Sequence, residues 1–127
     1  MTTKLANNFG IALLILGLAG FIPGLTSHGM LLEIFKVNPA TNAFHLFAGA
    51  AAIWCALSST LAVKAYFRLF GALFGALAVA GFFSNNERVF ECMANNLADA
   101  RLHLSFAFTF LAIGLVRTHE SPLPDVL

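Results

Sequence analysis

The sequence predicts an all-α membrane protein: four transmembrane helices arranged as two tandem two-helix repeats, with short interfacial helices in the outer connectors. Three observations carry that expectation. The chain has 127 residues, of which 59% are hydrophobic and only 10% charged, with a mean hydropathy of +0.83. Four apolar runs divide it, each close to the length of a bilayer crossing. One polar phrase is written twice: Glu33, Asn38, His45 and Leu46 return as Glu91, Asn96, His103 and Leu104, each 58 positions later.

The composition narrows the class before any motif is read. An ordinary soluble domain has about a quarter of its residues charged. A chain this short has a high ratio of surface to volume. It cannot cover itself with so few charges in water, and lipid is the natural solvent for its surface. A net charge of +1 leaves no basic face for nucleic acid and no acidic tail. There is no Gly-rich phosphate loop, no Ser/His/Asp order and no histidine-rich metal helix, so an enzyme is not expected. Cys55 and Cys92 are too few for a disulfide framework. Cys55 falls inside a span and Cys92 in a connector, so no bond between them is expected.

The first run covers about residues 6–24 (ANNFGIALLILGLAGFIPG). Lys4 before a short apolar core resembles a signal peptide. The following FIPGLTSHG lacks a small-x-small cleavage pattern, so the run is read as a retained helix. The other runs cover about residues 39–58, 65–83 and 98–116. All four lie near the lower limit of roughly 17 residues for a span. Lys4, Lys64, Arg68 and Arg117 fall on one side, and Lys36, Arg88 and Arg101 on the other. The positive-inside rule then places both termini in the cytoplasm. The tail, 118–127, is polar and carries two prolines, and is read as disordered. The outer connectors GMLLEIFKV and ERVFECMANNL both read as short amphipathic helices lying in the membrane interface.

Each half is therefore span, outer segment, span: repeat 1 covers about residues 6–60 and repeat 2 about 65–117, together one domain over 1–117. Two-span halves enter the membrane in the same direction and are related by a pseudo-twofold axis along the membrane normal. His45 and His103 then lie at one depth. Asn38 before Pro39 is a helix start, an N-cap followed by proline at the first helical position. If Asn96 does the same, both histidines sit about 10 Å below their caps, at 1.5 Å per residue.

GFIPG, LLEIFKVNPATNAFHLFAG, YFRLFGALFGALAVAGF and NNLADARLHLSFAF together resemble a family of small bacterial four-span membrane proteins, catalogued as a domain of unknown function. The matching positions are Asn38, Pro39, Asn42, His45 and Gly49 in the first half, and Asn96, Asp99, Leu102 and His103 in the second. The position of Glu33 is usually small or apolar in that pattern. The resemblance implies four helices in a bacterial cytoplasmic membrane and no particular activity.

Ionisable groups within the spans are few: His45, Asp99, Arg101 and His103. Such groups usually face the bundle interior or a cavity. Three readings follow. In the first they are structural, with neutral imidazole bonding across helices to a carbonyl, to Thr41, to Asn42 or to the other histidine. Here the small residues after His45 (Ala48, Gly49, Ala52, Cys55 and Ala56) receive Phe106 and Phe110 of span 4. In the second, His45 and His103 are the axial ligands of a haem b, with Arg101 and Lys36 near the propionates. In the third, Glu33, His45, Glu91 and His103 hold zinc or iron, His28 adds a ligand, and Asp99 orients His103 from one turn away. Quinone, lipid or partner-subunit binding stays open beside these. The expected partners are the lipid bilayer and, through the glycine faces, a homo-oligomer or larger membrane complex.

Overall fold

The structure is a computed structural model and describes residues 1–85 and 88–116. Arg117, the tail 118–127 and Glu87 lie outside the described residues. Four helices carry the fold: α1 (Thr2–Ala19), α2 (Pro39–Ser58), α3 (Thr60–Phe83) and α4 (Leu97–Leu115). They have 18, 20, 24 and 19 residues, and each is apolar enough to cross a membrane. At 1.5 Å per residue, even the shortest approaches the roughly 30 Å of a hydrocarbon core. The fold is a four-helix bundle of a multi-pass membrane protein.

Local chemistry sets the helix ends, and two differ from the apolar runs. α1 begins and ends earlier than residues 6–24. Pro23 cannot extend it, and the Thr26 Oγ1 donates to the carbonyls of Ala19 at 3.1 Å and Gly20 at 3.3 Å. The hydroxyl thus caps the end of α1, where the Ala19 carbonyl also accepts from the Ile22 N–H at 3.1 Å. α3 begins at Thr60, not near residue 65, because Ser59 serves two helices. It ends α2 in an extended conformation, and its Oγ accepts from the Ala62 N–H at 3.0 Å. At the same end of the bundle, the Arg68 Nε donates to the Gly114 carbonyl at 2.6 Å and closes α4 with a cation.

α1 packs closely on α2, and α3 on α4. A Cβ at Gly10 would lie 2.8 Å from Ile53 Cγ1 and 3.0 Å from the Gly49 carbonyl oxygen. A Cβ at Gly71 would lie 2.8 Å from Leu111 Cγ. Ile53 and Leu111 are 58 positions apart, whereas Gly10 and Gly71 are 61 apart. The difference of three residues is extra chain in the first connector. Between the hairpins lies an aromatic core. Phe110 takes Phe9 and Phe67 edge-on, each at 5.1 Å between centroids, and Tyr66 stacks on Phe70 at 4.5 Å. Such pairs add to plain apolar burial.

Two expectations are corrected here. The small face of α2 does not receive the phenylalanines of α4. Gly49 lies against Gly10 and Leu14 of α1, and the Ala48 carbonyl accepts from the Tyr66 hydroxyl at 2.8 Å. Phe106 and Phe110 instead meet Phe9 of α1 and Phe74 of α3. The outer connectors are not helical among the described residues. The first forms three two-residue antiparallel strands in the order β1 (Thr26–Ser27), β2 (Met30–Leu31), β3 (Phe35–Lys36). The second has one antiparallel bridge, Val89 with Met93, the counterpart of Leu31 with Phe35. Leu32 and Glu33 have φ of 52° and 59°, and Phe90 and Glu91 have 51° and 60°. Left-handed residues cannot continue a right-handed helix. Backbone groups that a helix would consume internally are committed to partners across the bundle.

Candidate functional site

The site is built on the first turns of α2 and α4. Asn38 caps α2, its Oδ1 accepting from the Thr41 N–H at 2.9 Å, with exposed Pro39 at the first helical position. Asn96 caps α4, its Oδ1 accepting from the Asp99 N–H at 2.9 Å. Asp99 returns a bond, its Oδ2 accepting from the Asn96 N–H at 2.8 Å, which completes a capping box.

Capping uses only one end of each asparagine amide. The other end crosses the molecule. The Asn38 Nδ2 donates to the Cys92 carbonyl at 2.7 Å, and the Asn96 Nδ2 donates to the Ile34 carbonyl at 2.9 Å. Ile34 and Cys92 are themselves 58 positions apart, so the two bonds are reciprocal. A second reciprocal pair runs beside them. The Thr41 Oγ1 donates to the Ala94 carbonyl at 3.3 Å, and the Lys36 N–H donates to Asp99 Oδ2 at 3.1 Å. Positions 36 and 94 are again 58 apart, as are 41 and 99. The polarity is reversed, since Thr41 gives a proton where Asp99 receives one.

Two turns below this clasp, His45 and His103 face each other. Both are buried, with ring centroids 5.6 Å apart and Nε2 atoms 3.4 Å apart, at the long end for a hydrogen bond. Such a bond needs an N–H on one Nε2 and a lone pair on the other, which two neutral rings provide only as different tautomers. Phe44 lies 6.1 Å from the His45 ring and Phe74 lies 5.5 Å from the His103 ring. Both Nδ1 atoms are buried without a partner among the described residues, as is the Asn42 Oδ1 beneath Gly20.

The sequence-predicted residues divide accordingly. His45 and His103 come together, and each is the other's partner. Thr41 is engaged with Asn38 and Ala94, so it does not bond His45. Asp99 is engaged with Asn96 and Lys36, so it does not orient His103. Glu33 and Glu91 are exposed on the left-handed turns, and no group of three or more His, Cys, Asp or Glu side chains converges among the described residues. The four-residue zinc or iron set is therefore not assembled. His28 is exposed, with its Nδ1 2.9 Å from Ser27 Oγ. Cys55 and Cys92 are both free.

As arranged here, the two rings leave no room for a haem between them. Two metal–nitrogen bonds of about 2 Å separate axial nitrogens by about 4 Å, more than the 3.4 Å between these. A porphyrin also needs a flat slot between the rings. Phe44 and Phe74 meet edge-on at 5.5 Å beside the pair, and the small face of α2 that could have made room is packed on α1. Arg101 is exposed.

Sequence reasoning missed the crossing bonds. A signal for them was present: a capping asparagine uses its oxygen, and its NH₂ needs an acceptor elsewhere. It also missed Asn95, a buried residue whose counterpart in the first phrase is the apolar Val37, and whose Nδ2 donates to the Gly81 carbonyl at 3.1 Å and to Ser84 Oγ at 2.9 Å.

No curated protein and no solved structure matches the chain. A family profile does, and it covers residues 4–116, nearly the whole of the described bundle with its clasp and its histidine pair. The chain belongs to that family, the domain of unknown function DUF4383.

Proposed function

We propose that this is a small non-enzymatic membrane protein with a structural or accessory role, made of two tandem two-helix units locked about a central dyad. The observation that supports it most is the reciprocal bonding. Asn38 and Asn96 each cap their own helix and hold the other half's connector, and the histidine pair joins α2 to α4 below. The asparagines and histidines of the repeated phrase thus hold the molecule together, while Glu33 and Glu91 stay exposed on the turns. Interhelical hydrogen bonds in membranes contribute about 0.6 kcal/mol on average, so a set of them matters more than any one.

The same proposal sets the protein in a bacterial cytoplasmic membrane with both termini on the cytoplasmic side. Met1 and Thr2 line one surface groove with Val116, so both ends of the described chain lie at one end of the bundle. Lys4, Lys64 and Arg68 lie toward that end. Assembly into a homo-oligomer or a larger membrane complex would use the outward faces, because Gly10, Gly49 and Gly71 are occupied within the chain.

The test is purification in detergent, a visible spectrum, elemental analysis, and unfolding of His45→Ala and His103→Ala. The reading expects a colourless, metal-free protein whose two variants lose similar stability. A Soret band or a stoichiometric metal that vanishes in both variants would replace it with a cofactor role.

A further inference from the structure

We infer that the two outer turns are wedges in the membrane interface, with Leu32 and Phe90 entering the lipid beside the bundle. This rests on the four-span reading above. Leu32 is 57% exposed and Phe90 67% exposed, each directly before an exposed glutamate. They are equivalent positions, 58 apart. Both turns place two consecutive residues at positive φ. Turns of that kind ordinarily use Asn-Gly or Asp-Gly, because larger side chains are strained there. This chain writes Leu-Glu and Phe-Glu instead, and does so twice. Strain of this sort persists where the surroundings enforce it and tends to mark a used position. The clasp enforces it here, with Ile34 and Cys92 held by the opposite caps.

The level of the turns points to the occupant. α2 and α4 have 20 and 19 residues, so each is about as long as the hydrocarbon core is thick. Their caps, Asn38 and Asn96, then mark its outer edge, and the turns just beyond lie among the headgroups. The exposed apolar stripe of α1 does not stop with the helix. Ile15 and Leu18 are followed by exposed Ile22 and Leu25 in the connector. In the second half, Phe82 and Phe83 close α3 exposed in the same way, ahead of Phe90. The lipid-facing band thus continues into both connectors. Glu33, Glu91 and Arg88 stand exposed beside it and keep their charges in the headgroup layer. An apolar tip beside a charged rim is the pattern of a segment resting in an interface.

Tryptophan fluorescence in proteoliposomes tests this, since Trp54 is the only tryptophan in the chain. Trp54 is 75% exposed near the far end of α2. Its quenching by lipid-borne labels reports the four-span reading alone. Leu32→Trp and Phe90→Trp are then made singly in a Trp54→Phe background, with vesicles labelled near the headgroup or at mid-chain. Blue-shifted emission is expected at both sites, with headgroup-level labels quenching several-fold more than mid-chain labels and aqueous iodide quenching little. Iodide quenching equal to that of free tryptophan would overturn the inference, by placing the turns in water. So would blue emission reached by neither quencher, which would mean burial against protein, or stronger quenching from mid-chain. If Trp54 itself escapes every lipid label, the membrane reading fails first. Phe90→Trp replaces one aromatic ring with another, so it carries the test if Leu32→Trp does not fold.

Discussion

The two halves of the chain share their crossing bonds and a few side chains but differ at most other positions, and the difference shows which features set the backbone. In both halves an asparagine caps the second helix and crosses to the opposite connector, and the following turn has two residues at positive φ. Around that frame the residues vary. Thr41 donates where Asp99 accepts. Buried Asn42 stands where the second half has Ala100. Gly49 makes room for Leu14 on α1, whereas its counterpart Ala107 faces Gly75 on α3. The two helix pairs therefore fill the same contact with side chains of different size, a leucine against glycine in one and an alanine against glycine in the other. The caps and turns have no such freedom, because their hydrogen bonds require particular groups at particular positions.

Substitutions at the exchanged positions should break the likeness most. A Cβ at Gly49 would lie 2.7 Å from the Gly10 carbonyl oxygen and 2.8 Å from the Leu14 backbone nitrogen, and backbone cannot swing aside. Gly49→Ala should cost about 3 kcal/mol, the upper range for overpacking. At Gly75 the nearest atom is 3.7 Å away, so Gly75→Ala should be neutral or stabilising by up to about 1 kcal/mol. Denaturant unfolding in mixed micelles measures both, and equal losses would mean that the two helix pairs pack alike at these positions.

The caps should behave alike. Asn38→Ala and Asn96→Ala each remove a cap worth about 1 kcal/mol and a crossing bond of similar size. Each should cost about 2 kcal/mol in the same assay. A silent variant on one side would end the equivalence of the halves. Smaller again is the histidine coupling. A double-mutant cycle between His45→Ala and His103→Ala should give a coupling of about 0.6–1.7 kcal/mol, the range for interhelical bonds in a membrane. Phe90→Gly should stabilise the detergent-solubilised protein by about 0.5–1 kcal/mol, because glycine relieves the left-handed strain at some cost in chain entropy. Loss of stability there would show that Phe90 is packed rather than strained.

The sequence revealed the bundle because span length and hydropathy are local properties. It placed the histidines on facing helices because the repeated phrase and the Asn38-Pro39 start fix a depth. It misjudged the connectors because apolar spacing in GMLLEIFKV suits a helix. What defeats that helix is bonding to residues about 60 positions away, such as Lys36 with Asp99. Local periodicity carries no trace of such partners. The face of α2 was misassigned for a related reason. Ala48, Gly49 and Ala52 announce close approach of a neighbour without naming which. Glu33 and Glu91 looked like ligands because they recur, yet they recur as parts of a turn.

The account depends most on the two imidazoles sharing a hydrogen bond at the centre of the bundle. Nitrogen-15 NMR of histidine-labelled protein in nanodiscs reads this directly. The expected result is one ring protonated at Nε2, the other at Nδ1, and magnetisation transfer between their Nε2 atoms. Two rings of the same tautomer with no transfer between them would contradict it.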